Sequence, residues 1–419
     1  MSLTYIAVKD GLHPSNSHQH FSHSFITPKK NIDFKNNTMI YSTIAGLILA
    51  LTSGATASVL PQANTLESRQ AASVSTISFS EPILQPQIIS TFPNGTWVEN
   101  LVPRSEDGNF VATLLSAPEV YLLSSTNAFA PLLLAQFPAN TGVLGVVELG
   151  HDIFYAIVGN FSVKTFTSTL GSYGVFKIDL NGHEAGSRKA GHGKLSKQTA
   201  KGVKVTKVAD LPNAGLPNGL TVLNPNTGIL LVADSAKGLV WSVNVFTGKT
   251  AIAVNDPSMA PNATLSGGLP LGINGLSFSN GYLYYDNSNT VTFYRIAVNA
   301  TTGHATGPAQ PLADQEFANI FPDDFTLDFA GGLWFACEYG HIAYLAGVGS
   351  GKFQPSIVAV AGNSTGPVGL TSAKFGTSAE DLKRGSLYVA TNGGPFTYGG
   401  PHPAQGQLVR YDTALLGFY

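Results

Sequence analysis

The chain is predicted to fold as an all-β, six-bladed β-propeller behind an N-terminal secretory signal. Three observations carry this. Strand-forming runs broken by Asn-Gly, Gly or Asp-Asn turns recur six times, and repeats of roughly 40–50 residues with four strands each are how propeller blades appear in a sequence. The composition is low in charge, at 11%, and rich in glycine and aromatic residues, which suits a compact β body. A single apolar run near the N-terminus is too short to span a bilayer and precedes an Ala-x-Ala pattern.

The clearest repeat is 271–296, LGINGLSFSNGYLYYDNSNTVTFYRI. Asn274–Gly275 opens it, Asn280–Gly281 reads as a hairpin turn, and β-branched and aromatic residues fill the runs between. Equivalent units start at Val98, Leu144, Leu216, Phe321 and Gly366. A β-sandwich is the competing architecture, but turn, strand and second turn recur here in one order.

Taken from the start, residues 1–57 read as a gene-model extension before Met39, the apolar run 40–52, and a cleavage pattern at Ala55-Thr56-Ala57. Residues 58–86, rich in Ser, Gln and Ala, read as a flexible leader. The propeller occupies 87–419. Its first strand, Gln87–Phe92, is expected to close the last blade beside Leu387–Ala390 and Gln407–Tyr411, leaving no open edge. Residues 183–204 are Gly- and Lys-rich without hydrophobic period and read as an exposed insertion.

Asn-x-Ser/Thr triplets at Asn94, Asn160, Asn262, Asn299 and Asn363 are expected to carry glycans in the secretory pathway or outside the cell. The one cysteine, Cys337, lies in an apolar run and reads as a buried core residue; stability must come from packing and ring closure rather than disulfides. A net charge of −2 argues against nucleic acid and anionic membrane as partners. A monomer acting on small molecules, free of the membrane once the signal is removed, is the expectation.

Aligning the repeats on their opening turn gives one column: Glu99, Leu144, Asn218, Asn274, Asp323 and Val368. Equivalent positions circle one axis in a propeller, so two carboxylates and two amides are aimed at one place. Hard oxygen donors of this kind suit Ca²⁺ or Mg²⁺, and Asn and Asp also cap their own turns. Both readings stand at this point. The G-x-S-x-G match at 362–366 lies in a polar link without the strand and helix that a nucleophile elbow needs.

The repeats and the column resemble the SMP-30/gluconolactonase/luciferin-regenerating-like family of six-bladed propellers. That resemblance implies a divalent metal held by Glu99, Asn274 and Asp323, with Asn218 near the substrate. The family's Gly-Glu-Gly-Pro turn is Val98-Glu99-Asn100-Leu101 here, and its Pro-Asp-Gly turn is Pro322-Asp323-Asp324. The Glu-Asn-Leu, Gly-Ile-Asn-Gly and Asp-Asp-Phe-x-Leu-Asp turns are closer to secreted fungal propellers that include hetero-Diels–Alderases. Those enzymes join a tropolone-derived quinone methide to a sesquiterpene alkene.

The residues around the column choose between these chemistries. A sugar-lactone hydrolase needs donors for several hydroxyls and a base for water. The expected rim is instead apolar: Leu144, Leu216, Ile273, Phe325 and Val368, with Phe321 beside them and Asn274 among the substrate contacts. Leu216 stands where the lactonases carry an arginine. A cycloaddition needs no nucleophile. It needs two apolar partners held in reacting geometry and a hydrogen bond to polarise a carbonyl. The leading expectation is therefore a pericyclase of secondary metabolism that requires no cofactor, with Asp323, Asn218 and Glu99 as its catalytic residues. A Ca²⁺- or Mg²⁺-dependent lactone hydrolase is the alternative, and a non-catalytic ligand-binding propeller is a third.

Overall fold

The computed structural model describes residues 84–183, 200–262, 271–314, 321–338, 341–346, 354–360, 367–394 and 404–416. The signal run, the leader up to residue 83 and Asn363 lie outside these, as does all of the 183–204 insertion between 184 and 199; the leader's last residues are not loose, since Leu84 is buried in the apolar cluster beside Trp334 and Leu387. The all-β propeller is observed: six four-stranded antiparallel sheets and one two-stranded hairpin.

Each sheet runs outward from an inner strand. The inner strands are Val98–Pro103, Gly142–Glu148, Pro217–Asn224, Ile273–Ser279, Pro322–Leu327 and Leu370–Phe375. Each touches the next, and Leu370–Phe375 returns to Val98–Pro103. The second strands Phe110–Leu114, Leu333–Cys337 and Ser386–Thr391 are buried along their whole length, and the other three at all but their first residue. A neighbouring sheet covers both of their faces, which is why the sequence writes them as unbroken apolar runs rather than alternating ones. Six apolar clusters fill the gaps between neighbouring sheets. The outer strand Lys204–Leu211 is largely exposed, and the insertion enters beside it.

Turn chemistry was legible. Asn280 and Gly281 both take positive φ, 50° and 81°, which is the type I′ geometry joining Ile273–Ser279 to Tyr282–Asn287. Ring closure is as expected: Gln87–Asn94 pairs antiparallel with Gln405–Asp412, from Gln87 opposite Arg410 to Asn94 opposite Gln405. Cys337 is fully buried. Asn94, Asn160, Asn262 and Asn299 are exposed.

Every inner strand carries a register shift against its second strand near its first residues. The shifts fall at Val98/Asn100, Val143/Val146, Pro217/Leu220, Ile273/Leu276, Pro322/Phe325 and Leu370/Ser372. Bulges of this kind re-aim side chains next to functional sites. They hold Glu99, Leu144, Asn218, Asn274 and Asp323, but in the last sheet the bulged residue is Thr371. A second observation fixes this register. The residue two places before the column accepts a backbone bond from the end of the second strand: Leu115 to Trp97, Ser235 to Leu216, Ser288 to Gly272, Glu338 to Phe321 and Asn392 to Gly369. Val368 is thus three residues out of register. Pro367-Val368-Gly369-Leu370 imitates Pro217-Asn218-Gly219-Leu220 in sequence, while the bulge comes later.

Thr371 is fully buried and its Oγ1 donates to the Val98 carbonyl at 2.7 Å, tying the last inner strand to the first. Thr371→Val is expected to cost about 1–2 kcal/mol by leaving that carbonyl short of a partner. Urea unfolding at a shared m-value measures it.

Candidate active site at the axis

Glu99, Leu144, Asn218, Asn274 and Asp323 come together in one pocket. The residues two places before them supply three walls: Trp97, Leu216 and Phe321. Leu115 and Glu338, at the ends of second strands, supply two more, and Leu271 adds to the aliphatic side. Phe161 and Phe166 reach in from the hairpin inserted in the second sheet. The empty space between these residues, counted out into open solvent, is about 440 Å³.

Three expected contacts lie elsewhere. Ile273 and Phe325 flank the bulges, so their side chains turn away from the axis into the clusters between sheets, at 0% and 1% exposure. Val368 is buried outside the pocket wall, for the reason of register given above. His151 sits beyond the far end of its inner strand, paired on the surface with Glu106 at 2.8 Å.

The polar floor is a hydrogen-bonded assembly. Asn274 Nδ2 donates to Asp323 Oδ1 and to Ser288 Oγ, both at 2.9 Å, and Ser288 Oγ donates to the Pro322 carbonyl at 2.8 Å. Asn392 Nδ2 donates to both oxygens of Glu338, at 2.9 and 2.7 Å. Glu99 is 5% exposed, and its Oε2 has no hydrogen-bond partner among the described residues. Asp234 braces the wall from behind, accepting from the Gly215 and Leu216 amides at 2.8 and 2.9 Å.

One residue further along each inner strand, the axis is sealed. Gly145 and Gly219 back so closely onto the next strand that a Cβ there would lie 2.5 Å and 2.3 Å from the carbonyls of Asn218 and Asn274. The same level holds Asn100, Asp324 and Ser372. Asp324 Oδ2 accepts from Asn100 at 3.0 Å, Ser372 at 3.2 Å and Lys374 Nζ at 2.9 Å. The pocket therefore opens at one end only of this polar plug.

Burial dominates the electrostatics. Glu99 is pushed up to about 8, chiefly by desolvation; the Trp97 N–H acts the other way and the Asp324 charge adds to the rise. Asp323 is raised well above the usual carboxylate range by burial, then by Glu99 and Glu338. Glu338 is raised by burial, held back by Asn392, raised again by Glu99, and held back by a hydrogen bond with Asp323. The floor thus holds protons that exposed carboxyls would have released, and a carboxyl kept neutral in an apolar site can donate a hydrogen bond. Because the folded values are raised, this contribution to stability is complete below about 4.5 and is lost as pH rises through about 8. Melting temperature is expected to fall between pH 5 and pH 8.5, and to fall less steeply in Glu99→Gln. A rise over that interval would contradict this electrostatic picture.

The donor types suit a hard cation, but the arrangement does not. Asn274 turns N–H rather than oxygen toward Asp323, and Asn392 engages both Glu338 oxygens. Among the described residues no three His, Cys, Asp or Glu side chains are grouped as metal ligands.

Comparison with known proteins agrees with this architecture. The chain is 22% identical over 335 residues to a Sarocladium schorii protein named as a candidate hetero-Diels-Alderase, asR5, covering 71% of this chain and 76% of that one. It is 23% identical over 330 residues to a Phoma protein of the same name, covering 74% and 87%. The sequence relatives are thus named as enzymes. No protein-family model matches. Among solved structures, a luciferin-regenerating enzyme superposes with a TM-score of 0.54 at 14% identity, covering 78% of this chain and 95% of its own. The major Malassezia sympodialis allergen Mala s 1 gives 0.52 at 11% identity, covering 80% and 98%. These likenesses carry the fold. The resemblance expected from the turns is found on both sides, among hetero-Diels-Alderases by sequence and a luciferin-regenerating propeller by structure.

Proposed function

We propose that this six-bladed ring, made behind a secretory signal, is a secreted, glycosylated small-molecule enzyme of fungal secondary metabolism. Its specific reaction is a hetero-Diels–Alder coupling of apolar polyketide- and terpenoid-type partners. One observation carries the reading: the buried carboxyls Glu99, Asp323 and Glu338 close a pocket otherwise walled by Trp97, Leu144, Leu216, Phe161, Phe166 and Phe321.

In such a coupling one C–C and one C–O bond form together, and no proton or electron is exchanged with the protein. The protein's part is to hold the partners at reacting distance and to polarise the heterodiene oxygen. Asp323 and Glu99, as neutral carboxyls, donate to that oxygen. Asn218 and Asn274 orient it, and the closed floor keeps bulk water from the reacting atoms. The names of the two sequence relatives support the same reaction. The protein works as a monomer outside the cell, without nucleic acid, membrane or cofactor.

Adduct formation by exhaustively chelated protein, with its metal content measured, tests this. Full activity in a metal-free sample is expected. Complete loss restored by Ca²⁺ or Mg²⁺, with the fold intact without metal, would instead favour the metal-dependent lactone hydrolase suggested by the Glu99, Asn274 and Asp323 set. Tight binding of ligand without turnover would favour a non-catalytic propeller. Amino-terminal sequencing of secreted protein is expected to begin near Ser58.

A further inference from the structure

The end of the ring away from the pocket carries an apolar groove that the function proposed above leaves unused. Phe329, Phe375, Leu382 and Ala414 line it, with Asp328, Asp381 and Lys383 among them. The column residues stand at the start of the inner strands, whereas Phe329 and Phe375 stand at their other ends, so groove and pocket lie at opposite ends of the ring. Among the described residues, Phe329 at 88% and Leu415 at 80% are the two most exposed large apolar side chains, and Leu382 is exposed as well. The frame that presents them is fixed. Asp328 Oδ1 accepts from the Ala330 and Gly332 amides at 2.9 and 2.7 Å, which pins the turn carrying Phe329. The helix Ala379–Arg384 is capped by Ser378, whose Oγ accepts from the Asp381 amide at 3.1 Å, and it ends on Gly385 at a φ of 58°. A rigid frame that holds clustered apolar side chains in water marks a surface with a partner.

The chain itself enters beside this groove. Leu84 is buried in the cluster of Trp334, Leu387 and Tyr411, and Phe375 and Leu416 pack against that same cluster. Phe375 is also a wall of the groove. Gln87 starts the closing strand opposite Arg410, and its Nε2 donates to Asp412 Oδ2 at 3.4 Å, just before the turn Thr413–Leu416. Whatever precedes Leu84 is therefore delivered to the edge of the groove. Residues 75–83 read STISFSEPI. Ile77 and Phe79 alternate with serines, a period that puts both on one face of an extended segment. Nine extended residues reach about 30 Å, ample to cross the groove. Their one charge is Glu81. Asp328 and Asp381 are engaged in internal hydrogen bonds, to Trp334 and to Ser378 and Tyr388, and Arg384 is paired with Glu380, which leaves Lys383 to set the charge of the rim.

We propose that the groove is the docking seat of the chain's own residues 75–83, with Phe79 set against Phe329 and Phe375 and Glu81 facing Lys383. The anchorage of Leu84 next door favours this occupant over a free one, because a tethered segment acts at high effective concentration. Phe329 belongs to the fifth sheet, and Phe375, Leu382 and Ala414 to the sixth and its appendages. The docked segment is thus a clasp across the seam beside the strand that closes the ring. It goes beyond the function proposed above and holds whichever reaction the axis pocket carries.

Hydrogen exchange on the secreted full-length protein reads the segment directly. The amides of residues 77–81 are expected to exchange at least about tenfold more slowly than those of residues 62–70 in the same molecules, and Phe329→Asp should bring them to the faster rate. Melting gives a second readout. A side chain as exposed as Phe329 is indifferent to substitution if nothing covers it. Here Phe329→Asp and Phe79→Asp are each expected to lower the melting temperature by about 2–4 °C, and the double variant no further than the worse single one, as for residues in contact. Phe329→Ser and Phe79→Ser carry the same test where the charged variants are not recovered. Equal exchange in the two stretches, protection that survives Phe329→Asp, additive losses in the double variant, or a mature chain that begins beyond Phe79 would each overturn the proposal. So would a dimer in sedimentation that Phe329→Asp makes monomeric while Phe79→Asp does nothing, which would give the groove to a second copy of the chain.

Discussion

Leu216→Asp is expected to lower adduct formation by about 100-fold or more, the scale on which a small misplacement of reacting groups slows an enzyme. Leu216 is 6% exposed and sits on the pocket wall beside Asn218. Its amide is already anchored to Asp234 at 2.9 Å, so the backbone has reason to stay where it is. The new carboxyl would replace an apolar wall with a group that needs water. It would also join Glu99, Asp323 and Glu338, where one more like charge pushes the shared protons onto different sites. Leu216→Met, which keeps the wall apolar, is expected to stay within a few-fold of the parent. Steady-state rates with both variants, alongside their melting curves, give the comparison. A folded Leu216→Asp protein with parental rates would remove the case for apolar pre-organisation.

Gly219→Ala is expected to damage the fold severely at the axis. Its Cβ would stand 2.3 Å from the Asn274 carbonyl and 3.0 Å from the Leu276 amide, both backbone atoms that cannot swing aside. Overpacking of this kind costs about 1–3 kcal/mol and sometimes more, and here relief would require the third and fourth inner strands to part. Gly281→Ala is the matched control. It has a positive φ of 81° but nothing within 4 Å, so only backbone strain is incurred. Denaturant unfolding should rank Gly219→Ala well below Gly281→Ala. The reverse order would mean that the inner strands are not packed as tightly as described.

The column was legible because its residue types are unusual for strand starts. Glu99, Asn218, Asn274 and Asp323 each interrupt an apolar context with an oxygen carrier, and five of the six aligned residues do meet in the pocket. Ile273 and Phe325 were misjudged because adjacency in sequence is not adjacency in space at a bulge: one residue faces the axis and its apolar neighbours face the next sheet. Glu338 went unread although a signal existed. The second strands end in Ala-Asp-Ser at 233–235, Asp-Asn-Ser at 286–288, Cys-Glu at 337–338 and Thr-Asn at 391–392. That is a second polar series, offset from the first by one strand. Trp97 and Phe321 were visible by the same logic as Leu216, since all three stand two places before the column. The 161–168 hairpin could not be foreseen from periodicity. Its two-residue strands are too short to show a pattern.

The pairing of Gln87–Asn94 with Gln405–Asp412 also has a consequence for the order of events during synthesis. These strands lie 323 positions apart at Gln87 and Arg410. The ribosome must deliver nearly the entire polypeptide before the first strand meets its partner, and contacts of such long range are slow to form. Until then the growing arc carries two raw ends, and the unpaired strand is open to association with other nascent chains. A chain released before Gln405 would retain both ends permanently. Premature termination before Gln405 should therefore yield aggregates rather than a slightly shortened protein, which places the codons of Gln405–Asp412 among the most consequential for yield.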